Sequence, residues 1–531
     1  MSTLNKKFLL STLLVSTATF LSRLLGLLRS TLLSAFYGAT SGEGLADAYT
    51  AAFKIPDIVF TLVISGMTSV VLIPYFLKHK SNQDELNRVV SGFINLFFLS
   101  LTVILTIVYF LVPWLMDHVL LTGWTNLELR QVAIDLTRIL LLQVLLMSVS
   151  SVFGSLLNAL ETYKAYSLAM LFYNVGIIVG LVIFSPWWGI HGVTWGVVLG
   201  AAGHALIQMV GSIKARWRWY PTLPRWDRDL GELLVNALPR IGALTSEQLT
   251  RVILVSFGSF LTLGSLLIYD NAENLALVSH GLVAASLATT AFPVFLQNWE
   301  KKAWADLGNS LRDKMRLLIL LAIPATFLPG VLRFEIPDLL MGYLRFNRTD
   351  VTLTSTTLLL LAPGALFFNI SVLFVRFYYA IRQSWIPLIA AALGVGITIV
   401  VTHLSLPYLQ IASLGLGRSL GWMVQASALY LFLLGNKHFH AAVTGLLRDL
   451  GLLIMIGILS AFVAEIVKIW VPSPVTDKLD SLWRLGLSSL SFILSFLGLG
   501  LFFKIPENKR LLDYLRGSNR NTPSRPLSVS K

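Results

Sequence analysis

The chain can be cut at polar or Pro/Gly-rich breaks into about fourteen apolar runs, each long enough to cross a bilayer. Their limits are 8–37, 47–77, 89–116, 131–158, 165–185, 190–213, 231–263, 270–299, 314–334, 352–381, 385–407, 411–434, 446–471 and 482–504. A spanning helix needs about 20 mostly apolar residues, so the pattern predicts an all-α polytopic membrane protein of about fourteen transmembrane helices. Composition agrees. Charged residues make up 13% of the 531 and the mean hydropathy is +0.74, whereas soluble domains carry roughly 25% charge.

Orientation follows from where the basic residues fall, because cytoplasmic loops carry the excess of Lys and Arg. Placing Lys6 and Lys7 in the cytoplasm puts Lys78, Lys80, Arg88 and Lys164 in inner loops, with Lys214, Arg216, Arg218, Arg225 and Arg228 following. Lys301, Lys302, Arg312, Lys314, Arg316, Arg382, Lys437 and Arg448 continue the series. The loops 40–46, 185–191 and 402–410 contain no Lys or Arg. Both termini are therefore expected inside, with the first run a retained helix and 506–531 a basic cytoplasmic tail. The formal charge of +14 is accounted for by this distribution and needs no nucleic acid.

A faint internal repeat sets the domain plan. Gly176, Gly196 and Gly200 are echoed by Gly396, Gly417 and Gly421, at offsets of 220, 221 and 221 residues. A repeat of six helices keeps both copies in one orientation. It predicts six-helix lobes at 1–220 and 221–440, with two further helices at 441–505. Transporters of this design rock two halves about a substrate held between them.

Charges inside the apolar runs mark the expected site. An ionised side chain at bilayer depth costs about 2.5 to 3.5 kcal/mol on insertion scales and usually faces a wet cavity. Arg23 and Arg29 lie in the first run, six residues apart, hence about 9 Å along a helix and about 120° around it. Guanidiniums suit bidentate grip on phosphate. Asp47, Lys54 and Pro56 follow in the second run, where Pro56 is a candidate kink; Lys54 either joins a cavity or snorkels, and Asp47 either acts on substrate or caps and pairs. Glu247 with Arg251, and Asp135 with Arg138, have spacings that permit pairing within one helix. Arg240, Arg376 and Arg418 have no local partner; Arg376 lines a cavity or sits at the inner interface.

Several chemistries are excluded. With no cysteine there is no thiolate site, and no Gly-Lys-Ser/Thr phosphate loop occurs. The eight histidines are scattered apart from His438 and His440. No cofactor, metal site or enzymatic activity is expected.

The runs Ser22-Arg23-Leu24-Leu25-Gly26-Leu27-Leu28-Arg29, Phe36-Tyr37-Gly38-Ala39, Ala46-Asp47-Ala48, Ala52-Phe53-Lys54-Ile55-Pro56, Ser65-Gly66 and Val71-Leu72-Ile73-Pro74 resemble the opening signature of the MurJ/MviN lipid II flippases of the MOP exporter superfamily. Ser246-Glu247-Gln248, Phe377-Tyr378-Tyr379-Ala380, Trp385-Ile386-Pro387 and Gly415-Leu416 extend the likeness over the whole chain. The resemblance implies fourteen helices in two six-helix lobes plus two. It also implies an undecaprenyl-diphosphate-linked peptidoglycan precursor as substrate, a bacterial cytoplasmic membrane location, cell-wall synthesis proteins as partners, and a lipid-tail groove in the last two helices. On matching positions it makes Arg23, Arg29 and Asp47 functional; Lys54, Arg251 and Arg376 complete the candidate substrate-binding set. Phe60-Thr61 and Ala272-Glu273-Asn274 depart from the family, which has an arginine pair and an Ala-Asp-Arg element there. Two expected cavity cations are thus absent, and Arg240, Arg251 or Arg376 would have to replace them. That departure keeps open an exporter of another anionic lipid-linked glycan, or a transport-dead scaffold.

Overall fold

The computed structural model describes residues 3–65, 71–224, 227–470, 478–503 and 505, and among them every regular element is helical. The side chains of Lys6 and Lys7, together with Gly66, Arg225 and the 506–531 tail, lie outside the described residues, and of Arg240 only the backbone is described. The helices are α1 (Thr3–Tyr37), α2 (Leu45–Ala52), α3 (Lys54–Phe60), α4 (Ile73–Lys78), α5 (Gln83–Leu115), α6 (Leu127–Ala159), α7 (Tyr163–Val179), α8 (Ser185–Lys214) and α9 (Arg228–Gly258). They continue as α10 (Ser265–Ala276), α11 (Ala285–Glu300), α12 (Trp304–Val331), α13 (Glu335–Met341), α14 (Arg348–Ala380), α15 (Trp385–Leu409), α16 (Ile411–Leu434), α17 (His440–Trp470) and α18 (Lys478–Phe502). π-helical turns interrupt the pattern at Thr61–Ser65, Met116–Leu120, Gly180–Phe184 and His280–Ala284.

Helix lies on every apolar run, but not always as one rod. Eight helical stretches among the described residues are long and apolar enough to cross a membrane, and one of them, Tyr163–Lys214, carries two of the runs. The rest are broken or charged: the second run divides into α2, α3, a π-turn and α4, and α9 carries Glu247 and Arg251. The surface confirms the solvent. On α5, Leu101 and Val112 are fully buried while Phe98, Ile107 and Phe110 are more than half exposed. Large apolar faces of this kind are rare on soluble monomers. Hydrocarbon is the medium that such a helix requires.

By packing, the residues form two compact units, one of Met1–Glu273, Leu340–Thr357 and Ser384–Gly421, the other of Asn274–Leu339, Leu358–Gln383 and Trp422–Lys531. In the first, α7 and α8 meet through glycines. A Cβ on Gly180 would lie 2.7 Å from the Gly196 Cα, and one on Gly176 would collide with the Gly200 backbone. Without a hydrophobic drive between helices in lipid, such close backbone approach is what holds them. Inside α8, Gly189, with a φ of 55° and ψ of −139°, breaks the helical path within the stretch 185–191 that reads as a loop. The echoed glycines match in part. Gly417 and Gly421 pack against Thr398 and Thr402, whereas Gly396 has open space beside it.

Caps set the helix starts in this unit. Asn82 accepts from Asp84 N–H (3.1 Å) at the start of α5, Asn126 from Leu129 N–H (3.1 Å) before α6, and Asp227 from Leu230 N–H (2.8 Å) before α9. The last cap arrives from far away in sequence. Asp47, 1% exposed, accepts from Gly264 N–H and Leu267 N–H, both at 2.8 Å. It thereby caps α10 from α2, satisfying donors that a helix start leaves orphaned.

In the second unit α12 packs on α17, where a Cβ on Gly457 would sit 2.7 Å from Ile323 Cγ2. Phe295, Phe377 and Phe439 stack edge to face in its core, with ring centroids 5.2 to 5.3 Å apart. Ion pairs bind its periphery: Arg333 with Glu465 (3.0 Å), Lys468 with Glu335 (3.1 Å), and Arg316 with Asp449 (3.3 Å).

Two stability measurements test this packing. Gly176→Val should cost about 1–3 kcal/mol through overpacking and lower the melting temperature in detergent, while Gly396→Ala should leave it unchanged or raised. Asp47→Ala leaves two buried amides unpaired and should cost about 1–3 kcal/mol, with Asp47→Asn, which keeps one acceptor oxygen, intermediate in the same melts.

Candidate anion-binding site

The site begins with how α1 meets α7. Ser22 Oγ donates to Met170 O (3.2 Å), and Asn174 Nδ2 donates to Ser22 O (3.1 Å) and Ser22 Oγ (3.0 Å). A Cβ on Gly26 would lie 3.8 Å from Asn174 Oδ1. Ser22, Gly26 and Arg29 follow the four-then-three spacing of a single helix stripe, so the seam that fastens α1 also aims Arg29 toward α7. Arg29 is half-buried and lies within Coulombic range of Tyr49, Asp57 and Tyr173. Arg23, one residue past Ser22 and about 100° around the helix, is exposed.

The second element is the broken helix α2–α3. Pro56 has no N–H to donate back to Ala52 O; Thr137 Oγ1 from α6 lies 3.3 Å from that carbonyl and 2.7 Å from Ala133 O of its own helix, so its one hydrogen is shared between the two. The break itself falls at Phe53, between the two helices. Directly after the break, as the first residue of α3, Lys54 is 8% exposed and points its Nζ to Asp270 Oδ1 of α10 at 3.9 Å. Of the two readings of Lys54, the structure supports an inward side chain with a carboxylate partner.

Deeper lies a chain of alternating charges. Arg418 of α16, 2% exposed, sits between two carboxylates: its Nη2 donates to Glu247 Oε1 and its Nε to Glu273 Oε1, the latter at 3.3 Å. Glu273 also accepts from Tyr269 O–H (3.4 Å) on Oε1, and its Oε2 pairs with Arg251 Nη1 at 3.3 Å. The sequence expectation of a Glu247–Arg251 pair within α9 is corrected here. Among the described residues the ion pairs of both run to other helices, because Arg418 and Glu273 bring full charges that only a partner of opposite sign makes tolerable in a buried setting. The Asp135–Arg138 pair does form within its helix, at 4.0 Å, with the guanidinium also over the Tyr109 ring at 4.5 Å.

The predicted site residues therefore separate into classes. Lys54 and Arg251 hold carboxylates, and Asp47 is occupied by backbone amides. Arg23 and Arg29 have no carboxylate within ion-pair distance among the described residues. Arg376, half-buried in the α14 portion of the second unit, likewise has none. Sequence reading flagged Arg418 only as locally unpaired and passed over Asp270 and Glu273 as ligands of cations. The usable signal was the presence of charge in apolar runs; the pairings come from residues up to 171 positions apart. Of the two positions where the family pattern has basic residues, Thr61 is buried as the first residue of a π-turn.

In the second unit an apolar hollow of about 250 Å³ is lined by Met315, Ile319, Phe367, Phe374, Leu431 and Leu447. It carries almost no polar group and offers nothing to an anion.

Comparison with known proteins joins these observations. A family model described as lipid II flippase MurJ matches residues 34–476. A probable lipid II flippase MurJ of Borreliella burgdorferi is 25% identical over 434 residues, covering 81% of this chain and 84% of that protein. One from Thermotoga maritima is 27% identical over 385 residues, covering 72% and 76%. A solved lipid II flippase MurJ in an inward closed conformation superposes with a TM-score of 0.74 at 21% identity, over 93% of this chain and 99% of that one. An inward-facing multidrug resistance MATE transporter of the MOP superfamily follows the same fold with a TM-score of 0.64 at 13% identity, over 80% and 96%. An apolar multi-pass helical chain with basic residues held at its packed interior, matched over most of its length by one family model, belongs to the MurJ family of lipid II flippases.

Proposed function

We propose that this flippase carries lipid II by alternating access and grips the diphosphate with Arg29 and Arg23. The observation that carries this assignment is charge accounting within the first unit. Lys54, Arg251 and Arg418 are each neutralised by the protein's own carboxylates, whereas Arg23 and Arg29 are not. A guanidinium without a counter-ion in an apolar chain gains most from an anionic ligand. Arg29, half-buried, supplies the desolvated contact, and exposed Arg23, on an adjacent face of α1, supplies the outer one. Each charge-assisted hydrogen bond contributes about 1.5 to 3 kcal/mol, and the planar fork suits two phosphate oxygens at once. Asp47 acts on this site indirectly, by fixing α2 to the start of α10.

The rest of the assignment follows the family. Residues 1–220 and 221–440 are the alternating lobes, α17 and α18 take the lipid tail, and the basic loops place both termini in the cytoplasm of a bacterium, beside cell-wall synthesis proteins. Exposed Leu482, Leu490 and Leu494 on α18 suit contact with a hydrocarbon chain. Membrane potential, an ion gradient or downhill substrate flux drives the cycle, as the sequence carries no Gly-Lys-Ser/Thr phosphate loop.

Complementation tests the grip. In bacteria depleted of their own flippase, Arg29→Ala should fail to restore growth although the protein accumulates in the membrane, with binding of a polyprenyl-diphosphate probe reduced roughly 10- to 100-fold. Arg23→Ala should weaken both less severely, and Arg29→Lys should recover part. Full growth with Arg23 and Arg29 both changed to alanine would end the proposal.

A further inference from the structure

Glu273 stands at the acidic position of the family's Ala-Asp-Arg element, beside Asn274 where that pattern has its arginine, and its surroundings give it a definite role. Its carboxylate is 3% exposed and holds two guanidiniums of very different freedom. Arg418, also 3% exposed, is fixed from two sides, by Glu247 and by Glu273 Oε1. Arg251 has 30% of its side chain exposed and a single carboxylate within ion-pair distance among the described residues, on Glu273 Oε2. One end of the network is locked and the other is able to leave.

The cost of leaving depends on how the oxygens are divided. When Arg251 departs, Glu273 keeps Arg418 at 3.3 Å and Tyr269 O–H at 3.4 Å, both on Oε1. Glu247 and Glu273 then share the one Arg418 guanidinium, and the excess negative charge left behind is the cost that an incoming anion must repay. Arg251 and Arg29 both act electrostatically on Asp57 of α3, so the two guanidiniums have one acid in common.

We infer that Glu273 is an internal counter-anion that occupies Arg251 until a headgroup of higher charge displaces it, so that the Arg251–Glu273 pair selects diphosphate-linked lipids against phosphodiester lipids. This rests on the proposed flippase reading and adds the basis of its selectivity. A phosphodiester carries one negative charge, as the carboxylate does, so exchange brings no electrostatic gain and costs desolvation. A diphosphate carries more charge and can engage two guanidiniums together. Membranes present a great excess of phosphodiester headgroups, and discrimination against a competitor is achieved by an interaction the competitor cannot repay. An arginine with no carboxylate opposite would bind both. Glu273 is a specificity-determining residue and Arg251 the group it controls.

The test uses the full chain in phosphatidylcholine nanodiscs, with undecaprenyl diphosphate and phosphatidylglycerol as probes. Wild type should prefer the diphosphate. Glu273→Gln should tighten phosphatidylglycerol about tenfold while changing the diphosphate less, so that the preference shrinks. Arg251→Ala should weaken the diphosphate about tenfold and leave phosphatidylglycerol unchanged, and the double variant should lose the gain of Glu273→Gln. Should Glu273→Gln not fold, the Arg251→Ala arm alone decides. An unchanged preference in folded Glu273→Gln, a gain that persists without Arg251, or equal losses for both probes in Arg251→Ala would overturn the inference. Failure of wild type to bind the diphosphate probe at all would instead overturn the flippase reading, and this inference with it.

Discussion

A guanidinium taken out of water must be compensated at once, and Arg418 shows how far the fold goes to meet that demand. Glu247 reaches it from α9 and Glu273 from α10, while Arg418 itself belongs to α16. Two carboxylates around one buried cation leave an excess negative charge, which Arg251 then meets. Three helices distant in sequence are locked in register by these contacts, since a shift of one residue rotates a side chain by about 100° and would strand a charge. Breaking such an arrangement by removing one partner costs about 3–5 kcal/mol. The same accounting decides which cations stay available, and it leaves Arg29 and Arg23 in the first unit.

The interruptions in the helices belong to the same design. Pro56 removes a donor and Thr137 supplies one; the chain breaks at Phe53, next to the inward Lys54. Immediately after α3 the backbone widens into a π-turn at Thr61–Ser65. Such turns are uncommon and concentrate at functional sites.

Much of this was legible before any coordinates. Apolar run length located the helices, because in lipid the backbone must satisfy itself within each segment. The break at 185–190 and the Asp135–Arg138 pair depended on neighbours in sequence, and both were readable. The Glu247–Arg251 spacing misled for a physical reason: a four-residue offset is permissive, and a stronger, fully buried partner on another helix wins. Asp47 was legible as a cap or partner but not as a cap for α10, since nothing local announces amides more than two hundred residues away. Asn274 reads as the absence of a family cation, and only the position of its neighbour Glu273 between two arginines shows that acid as a ligand in its own right. Of the three later glycines of the echo, Gly417 and Gly421 serve close packing by their small size, whereas nothing approaches Gly396.

The long reach of Asp47 has a consequence for biogenesis. Its acceptors are met by amides 217 and 220 residues later, and at about 5–20 residues per second of synthesis those amides emerge roughly 10–45 s after it does. Throughout that interval the ribosome-bound intermediate must keep an uncompensated acid among its first hydrophobic segments, so α2 has reason to wait near the aqueous translocon mouth until α10 arrives. The early helices of this flippase are thereby committed to settle late, as one batch with those made halfway through translation.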